Sequence, residues 1–121
     1  MHRGAPNPTL WTASDPRGRP VNIRARVWEH IVKGHPEMLG QEPLVKAAIE
    51  SPDRICEGYG GREMFELEAR IAARSRRGYL LVVVGWATRV DGTLVGSVVT
   101  AYPDLNRARG DPTWRASTNS E

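Results

Sequence analysis

Two histidines lie close to a lysine and to carboxylates within a ten-residue stretch of the chain. The stretch reads Trp28-Glu-His30-Ile-Val-Lys33-Gly-His35-Pro-Glu37. Histidine is the residue type that most readily gives or takes a proton near neutral pH, and a neighbouring cation suits an anionic substrate. These residue types at this spacing predict acid–base chemistry on a phosphodiester.

A helix predicted from Arg26 to Lys33 would place several of these groups on one side, because its apolar residues recur at helical spacing and Gly34 and Pro36 follow as a stop. The apolar side consists of Val27, Trp28, Ile31 and Val32, and the polar side of Arg26, Glu29, His30 and Lys33. A charged helix face is more often simply solvated, and His35 can equally cap the helix end. Both interpretations stay open.

Two predicted strands carry further candidates. Alternation from Met64 to Ala72 puts Glu66, Glu68 and Arg70 on one face, where Glu68 could act as a general base and Arg70 as a transition-state cation. Ordinary cross-strand ion pairs are the alternative. In the last strand, Thr100 and Tyr102 are expected to share a face with Leu94, Gly96 and Val98. Their hydroxyls could contact a phosphate, although both residues are also good strand formers.

Basic residues at the turn before the longest apolar run, Arg74, Arg76 and Arg77, could contact a nucleic-acid backbone. They can equally serve solubility and protection of a sheet edge. The net charge of +3 does not decide the question, because residues 21–102 hold 11 Lys/Arg against 10 Asp/Glu. Whether these arginines contact nucleic acid therefore depends on where they lie in the fold.

A metal site built from His30, His35, Glu37 and Cys56 is not predicted, because Gly34 and Pro36 interrupt the helical spacing and no Cys-x-x-Cys pair is present. No cofactor is predicted either. Cys56 is the single cysteine, so no internal disulfide can form, and a cytoplasmic location is expected. The longest apolar run, Tyr79 to Ala87, is too short for a membrane span, so no membrane partner is expected.

The elements that must position these residues are predicted in the order β-β-α-α-β-β-β-β. A hairpin from Thr9 to Arg24 and a second helix from Gln41 to Glu50 complete the set. We expect an α+β fold, with two short N-terminal helices packed on a mostly antiparallel sheet of about four strands, preceded by a small hairpin. Residues 1–121 would form a single domain with an ordered core at about 9–102 and flexible ends.

Several segments together resemble a known family. They are Trp28 to Glu37, Ser51-Pro-Asp-Arg-Ile55, Leu80 to Val84 and Val98-Val-Thr100-Ala-Tyr102. Together they look like the phage-associated branch of the barnase/EndoU/colicin/RelE-like nuclease superfamily, over roughly Val21 to Tyr102. The resemblance implies two helices on a four-stranded antiparallel sheet and metal-independent RNA cleavage by a toxin or phage-delivered effector. Gly34 departs from the family pattern, which often has arginine there.

Residue by residue, the resemblance matches His30 and His35 to the histidines of the first motif, Lys33 to a usually basic position, and Thr100 to the threonine of the second motif. The expected reaction is transesterification by the RNA 2′-OH, with His30 as base or acid and His35 or Glu68 as its complement. Lys33 and Arg70 would stabilise charge on the phosphorane, and Thr100 would hold a phosphate oxygen.

RNA is the expected substrate and partner, and a neutralising antitoxin or immunity protein is a further candidate partner. The residues expected to contact RNA are Arg26, Arg74, Arg76, Arg77 and Tyr102. The alternative function is a non-catalytic partner-binding or immunity-type module on the same fold.

Overall fold

The computed structural model describes residues 6–70 and 77–117. Two hairpin strands come first, then two helices, then five strands. The elements are β1 (Thr9–Ser14), β2 (Pro20–Arg24), α1 (Ala25–Gly34), α2 (Glu42–Glu50), β3 (Arg54–Glu57), β4 (Glu63–Ala69), β5 (Gly78–Thr88), β6 (Leu94–Asp104) and β7 (Pro112–Arg115). A short 3₁₀ turn at Pro36–Met38 lies between the helices.

The described strands form one mixed sheet in the order β1-β2-β6-β5-β4-β3-β7. Strands β2 and β6 pair in parallel, and the other described neighbours pair antiparallel. The prediction of about four strands is therefore wrong, because the sheet has seven, whereas the two helices are confirmed. The hairpin joins the sheet through β2, and β7 joins it from a polar tail. Both pairings link distant parts of the chain, and such pairings leave no local pattern in the sequence.

The two helices cover one side of this sheet. Trp28 and Ile31 are buried on α1, and Val45, Ala48 and Ile49 are buried on α2. They form one core with the helix face of the sheet, which we define by Phe65, Leu80, Val82, Val84 and Ala101. Among the described residues, no helix is long and apolar enough to cross a membrane.

The opposite side, which we call the cleft face, carries Arg54, Glu66, Glu68, Tyr79 and Tyr102 according to the strand register. A bulge in β6 decides part of this arrangement. Val84 lies opposite Val98 and Val83 lies opposite Thr100, so Val99 is an extra residue that reverses the alternation. The expectation that Val98 shares a face with Thr100 and Tyr102 is therefore wrong: Val98 lies in the core, and the other two are on the cleft face.

Residues 105–111, which we call the strap, carry the chain across the cleft face from β6 to β7. Ala108 of the strap is buried against Leu81 of β5 and Cys56 of β3. The Glu57 amide donates to the Asp111 carbonyl oxygen at 2.8 Å. The strap and β3 approach so closely at Gly110 that a Cβ there would lie 1.8 Å from the Glu57 carbonyl oxygen. Glycine is required at this position because the contact is with backbone.

The sheet curves far enough for the β1–β2 turn to reach β4 and β7. Arg19 pairs with Glu63 at 2.8 Å and with the buried Asp15 at 2.7 Å, and its guanidinium lies 4.0 Å from the Trp86 ring centroid. Arg17 donates to Thr113 Oγ1 at 3.3 Å. These polar contacts thus join the β1–β2 turn to β4 and to β7, which lies at the opposite edge of the sheet.

Replacing Gly110 tests whether the strap is held against β3. We expect Gly110→Ala to lower the free energy of unfolding by about 1–3 kcal/mol, because the added methyl group forces the backbones apart. The measurement is urea unfolding followed by circular dichroism. Gly34→Ala is the matched control, since a Cβ at Gly34 meets nothing within 4 Å. Equal stability of the two variants would contradict the close approach.

Candidate functional site

An open cleft of about 470 Å³ lies on the cleft face beside the strap. Its lining comes from five places in the chain: the start of β3, the end of β4, the start of β5, the strap and the end of β7. The lining residues are Asp53, Arg54, Glu68, Tyr79, Arg107, Arg115 and Ala116. Three arginines and two acidic residues, Asp53 and Glu68, therefore line a cleft that suits an anionic ligand with a proton to lose.

Glu66 is the fully buried carboxylate beneath this cleft. Arg54 donates to it through Nε at 3.1 Å and Nη2 at 3.0 Å. Arg107 donates through Nε at 3.0 Å and Nη2 at 2.7 Å. The Ala108 amide adds a bond of 2.9 Å. Glu66 therefore joins β3, β4 and the strap by charge-assisted hydrogen bonds.

The charges in this network stabilise one another. Burial acts to raise the pKa of Glu66, but the hydrogen bonds from Arg54, Arg107 and the Ala108 amide outweigh it, and the pKa is lowered. The hydrogen bond to Glu66 in turn raises the pKa of Arg54 and of Arg107. The carboxylate and both guanidiniums therefore stay charged at neutral pH.

Glu66 also orients the two guanidiniums without using all of their donors. Arg54 engages Nε and Nη2, the latter also bonding the Ala108 carbonyl at 2.9 Å, and Arg107 engages Nε and Nη2. A guanidinium has five N–H donors, and none of these bonds to described residues uses the Nη1 group of either arginine, so that group can serve a ligand. Arg107 also lies over Tyr79, 5.6 Å from the ring centroid. Two donor groups are thus held in fixed directions before any anion binds.

Glu68 stands next to these donors and is itself held in place. Its amide donates to Asp53 Oδ2 at 2.7 Å, and the Asp53 carbonyl oxygen accepts from the Ala116 amide at 3.0 Å. Glu68 and Tyr79 are direct cross-strand partners, so their side chains leave the sheet about 5 Å apart. Arg77 pairs with Glu68 at 2.9 Å. A carboxylate and a phenol therefore flank the guanidiniums.

The end of α1 reaches the same face of the sheet further along β6. The ring of His35 stacks on Tyr102 with centroids 6.0 Å apart and an interplanar angle of 26°. His35 Nδ1 lies 3.9 Å from Glu37 Oε2. Burial, followed by the charge of Asp104, raises the pKa of the Tyr102 phenol. Two residues predicted for RNA contact or catalysis are thus brought together, as a ring pair.

The other predicted residues of α1 are not at the cleft. His30, Lys33 and Arg26 are exposed on the helix, and no residue of α1 is among the described residues that line the cleft. The structure therefore does not bring His30 and Lys33 to Glu68. The roles predicted for His30 and Lys33 would need a second catalytic centre on α1, separate from the cleft.

The predicted strand residues divide in the same way. Glu68 lines the cleft, whereas Arg70 is exposed one residue beyond the end of β4. Thr100 is on the cleft face, but strand rise and spacing put its Cα about 16 Å from that of Glu68. Arg77 lies close to the cleft, because it pairs with Glu68. Arg74 and Arg76 lie outside the described residues.

Sequence reasoning missed most of the positive charge in the cleft. Arg107 and Arg115 fall in the polar tail, and Arg54 stands where a short strand begins. One signal was available: Glu66 lies between Phe65 and Leu67 in a strand expected to be half buried. A buried carboxylate demands cationic partners, but alternation alone does not say where in the chain they are.

Within residues 6–70 and 77–117, no three His, Cys, Asp or Glu side chains gather in a way that could hold a metal ion. Comparison of the chain with protein-family models, with curated proteins and with solved structures found no match.

Lowering the pH should lower the free energy of unfolding, because Glu66 becomes protonated and its ion pairs are lost. Its pKa is lowered in the folded protein, so its contribution is complete above the unfolded value of about 4.3 and is lost as the pH falls through the lower folded value. We expect Glu66→Gln to cost about 3 kcal/mol at pH 7. The difference from the wild type should shrink below about pH 4.

Urea unfolding of both proteins between pH 2 and pH 7 measures this effect. Glu50→Gln serves as the control, because Glu50 is exposed at the end of α2. A constant difference between Glu66→Gln and the wild type across the whole pH range would show that the charge of Glu66 is not what holds the network.

Proposed function

We propose that the protein is an endoribonuclease that cleaves RNA by attack of the 2′-OH on the adjacent phosphorus, and that the cleft on the cleft face is its active site. One observation carries this proposal. Arg54 and Arg107 are locked by the buried Glu66 while a carboxylate and a phenol, Glu68 and Tyr79, stand beside them.

The composition of the cleft favours a phosphodiester over other ligands. Arginine presents donors in a planar fork that matches phosphate oxygens, and fixed donors lose little entropy when the anion arrives. The cleft is open and polar, which suits a chain that runs through it better than a small enclosed ligand. Arg115 of β7, the cross-strand partner of Arg54, offers a contact for a second phosphate.

The residues can be given roles in a balanced reaction. Glu68 takes the proton of the 2′-OH, the 2′-oxygen forms a bond to phosphorus, and the bond from phosphorus to the 5′-oxygen breaks. Tyr79 gives a proton to the leaving 5′-oxygen, so the products are a 2′,3′-cyclic phosphate and a 5′-hydroxyl. The Nη1 groups of Arg54 and Arg107 stabilise the charge that builds up on the phosphorane.

The resemblance of Trp28 to Glu37 and of Val98 to Tyr102 to phage-associated nucleases supports RNA as the substrate. The proposal differs from that family pattern in where the chemistry takes place. We assign it to Glu68 and not to His30, because Glu68 lines the cleft and His30 points to solvent from α1.

A non-catalytic RNA- or partner-binding module is the second candidate. The described lining of the cleft contains no histidine, and Arg77 already neutralises Glu68 in the structure. Such a module would use the same arginines for an anionic partner and would leave the RNA backbone intact. Cleavage assays separate the two candidates.

Purified protein incubated with end-labelled RNA in EDTA should produce fragments ending in 2′,3′-cyclic phosphate. We expect Glu68→Gln to lower the cleavage rate by about 10²- to 10⁴-fold, since loss of a general base typically costs that much. Arg89→Gln is the control, because Arg89 is exposed at the β5–β6 hairpin and remote from the cleft in the strand register.

His30→Ala decides between the two possible centres in the same assay. Loss of cleavage in His30→Ala together with an active Glu68→Gln would move the chemistry to α1. An intact substrate with every protein, although RNA still binds, would leave the non-catalytic module as the function. Cleavage that EDTA abolishes would contradict the metal-independent mechanism.

Removing Arg115 should weaken RNA binding through charge alone. We expect Arg115→Gln to reduce the slope of log K against log salt concentration by about 0.7, the value for one phosphate contact on a single strand. Fluorescence anisotropy with a labelled 2′-O-methyl oligonucleotide, which cannot be cleaved, measures the slope between 50 and 300 mM salt. An unchanged slope would place the RNA backbone elsewhere.

A further inference from the structure

Two tyrosines stand on the cleft face with one leucine between them. Leu81 of β5 lies directly opposite Tyr102 of β6, and Tyr79 lies two residues from Leu81 on the same side of β5. Diagonal neighbours of this kind are about 7–8 Å apart. Both rings pack around the small cluster of Leu81, Cys56 and Ala108. The cleft and the Tyr102 ring therefore belong to one continuous surface.

The two rings are in different situations. Tyr79 is covered by the Arg107 guanidinium, which is committed to Glu66. Tyr102 is covered by His35, whose side chain is 39% exposed. His35 is held less tightly than Arg107, because its Nδ1 lies 3.9 Å from Glu37 Oε2. The His35–Tyr102 pair is thus a partly exposed aromatic platform, one step along the sheet from the guanidiniums.

We infer that His35 and Tyr102 form a nucleobase-stacking subsite and that the substrate of the cleft is single-stranded RNA. The inference rests on the proposed function, because it takes the cleft to hold a phosphate of the RNA backbone. The base of a neighbouring nucleotide then stacks on the platform, with Tyr102 supporting the ring of His35 from below.

The chemistry of the surface distinguishes single strands from duplexes. Bases in an A-form helix are stacked on one another, and side chains cannot reach their faces. Unpaired bases can be splayed out and stacked on aromatic rings, and each such contact is insensitive to sequence because every base has a π face. An aromatic platform next to a phosphate-binding cleft therefore favours an unpaired strand over a duplex.

A purely structural role for the ring pair makes a different prediction. The stack would then only attach the end of α1 to β6, and its loss would lower thermal stability without a specific effect on RNA. Variants that keep a ring separate the two roles: His35→Phe and Tyr102→Phe preserve stacking, whereas His35→Ala and Tyr102→Leu remove it.

The experiment measures binding of a fluorescein-labelled 2′-O-methyl octamer of adenosine by anisotropy, beside the same octamer annealed to its complement. We expect His35→Ala and Tyr102→Leu to lose about 5- to 100-fold in affinity at an unchanged salt slope. The two phenylalanine variants should bind as the wild type does. The wild type should prefer the single strand to the duplex. Thermal unfolding of each variant confirms that it is folded.

Three results would overturn the subsite: equal affinity of the wild type for single strand and duplex, wild-type affinity of the two variants without a ring, or an equal loss of affinity in the phenylalanine variants. Failure of the proposed function looks different. Ring-dependent binding of single strands together with the absence of RNA cleavage would remove the endoribonuclease reaction and keep the stacking subsite.

Discussion

The buried carboxylate of Glu66 is the constraint on which the rest of the cleft depends. A charge removed from water must be compensated at close range, and Glu66 is compensated by Arg54, Arg107 and the Ala108 amide. These partners come from β3 and from the strap, so one side chain determines how the tail crosses the sheet. Buried ion pairs add little net stability, and their effect here is positional.

The two faces of the sheet have separate tasks. The helix face buries the apolar residues of α1, α2 and the central strands, which supplies the hydrophobic stabilisation. Among the described residues, the cleft face is covered by the strap and, at Tyr102, by His35, and its buried cluster is small. Polar and charged groups can therefore remain close to solvent there while the strands of the sheet hold their backbone in place. Catalytic groups are held more precisely on such strands than on loops.

Much of the local structure could be predicted from the sequence. The predicted helix from Arg26 to Lys33 agrees with α1 at Ala25–Gly34, and the one from Gln41 to Glu50 agrees with α2 at Glu42–Glu50. Apolar spacing and proline or glycine stops act over a few residues, so they can be seen in a single chain. The prediction that Glu66 and Glu68 share a face also agrees with the strand register, because side chains alternate along a strand.

What the chain by itself determined was therefore local: two amphipathic helices, the strands near the centre and the side chains able to do chemistry. Tertiary structure alone decided the seven-stranded order, the bulge at Val99 and the meeting of Arg54, Arg107 and Arg115 at one cleft. The reason is physical. Backbone pairing and the compensation of a buried charge join residues up to 63 positions apart along the chain in this cleft, from Asp53 to Ala116. No periodicity in the sequence records which distant partner satisfies each group.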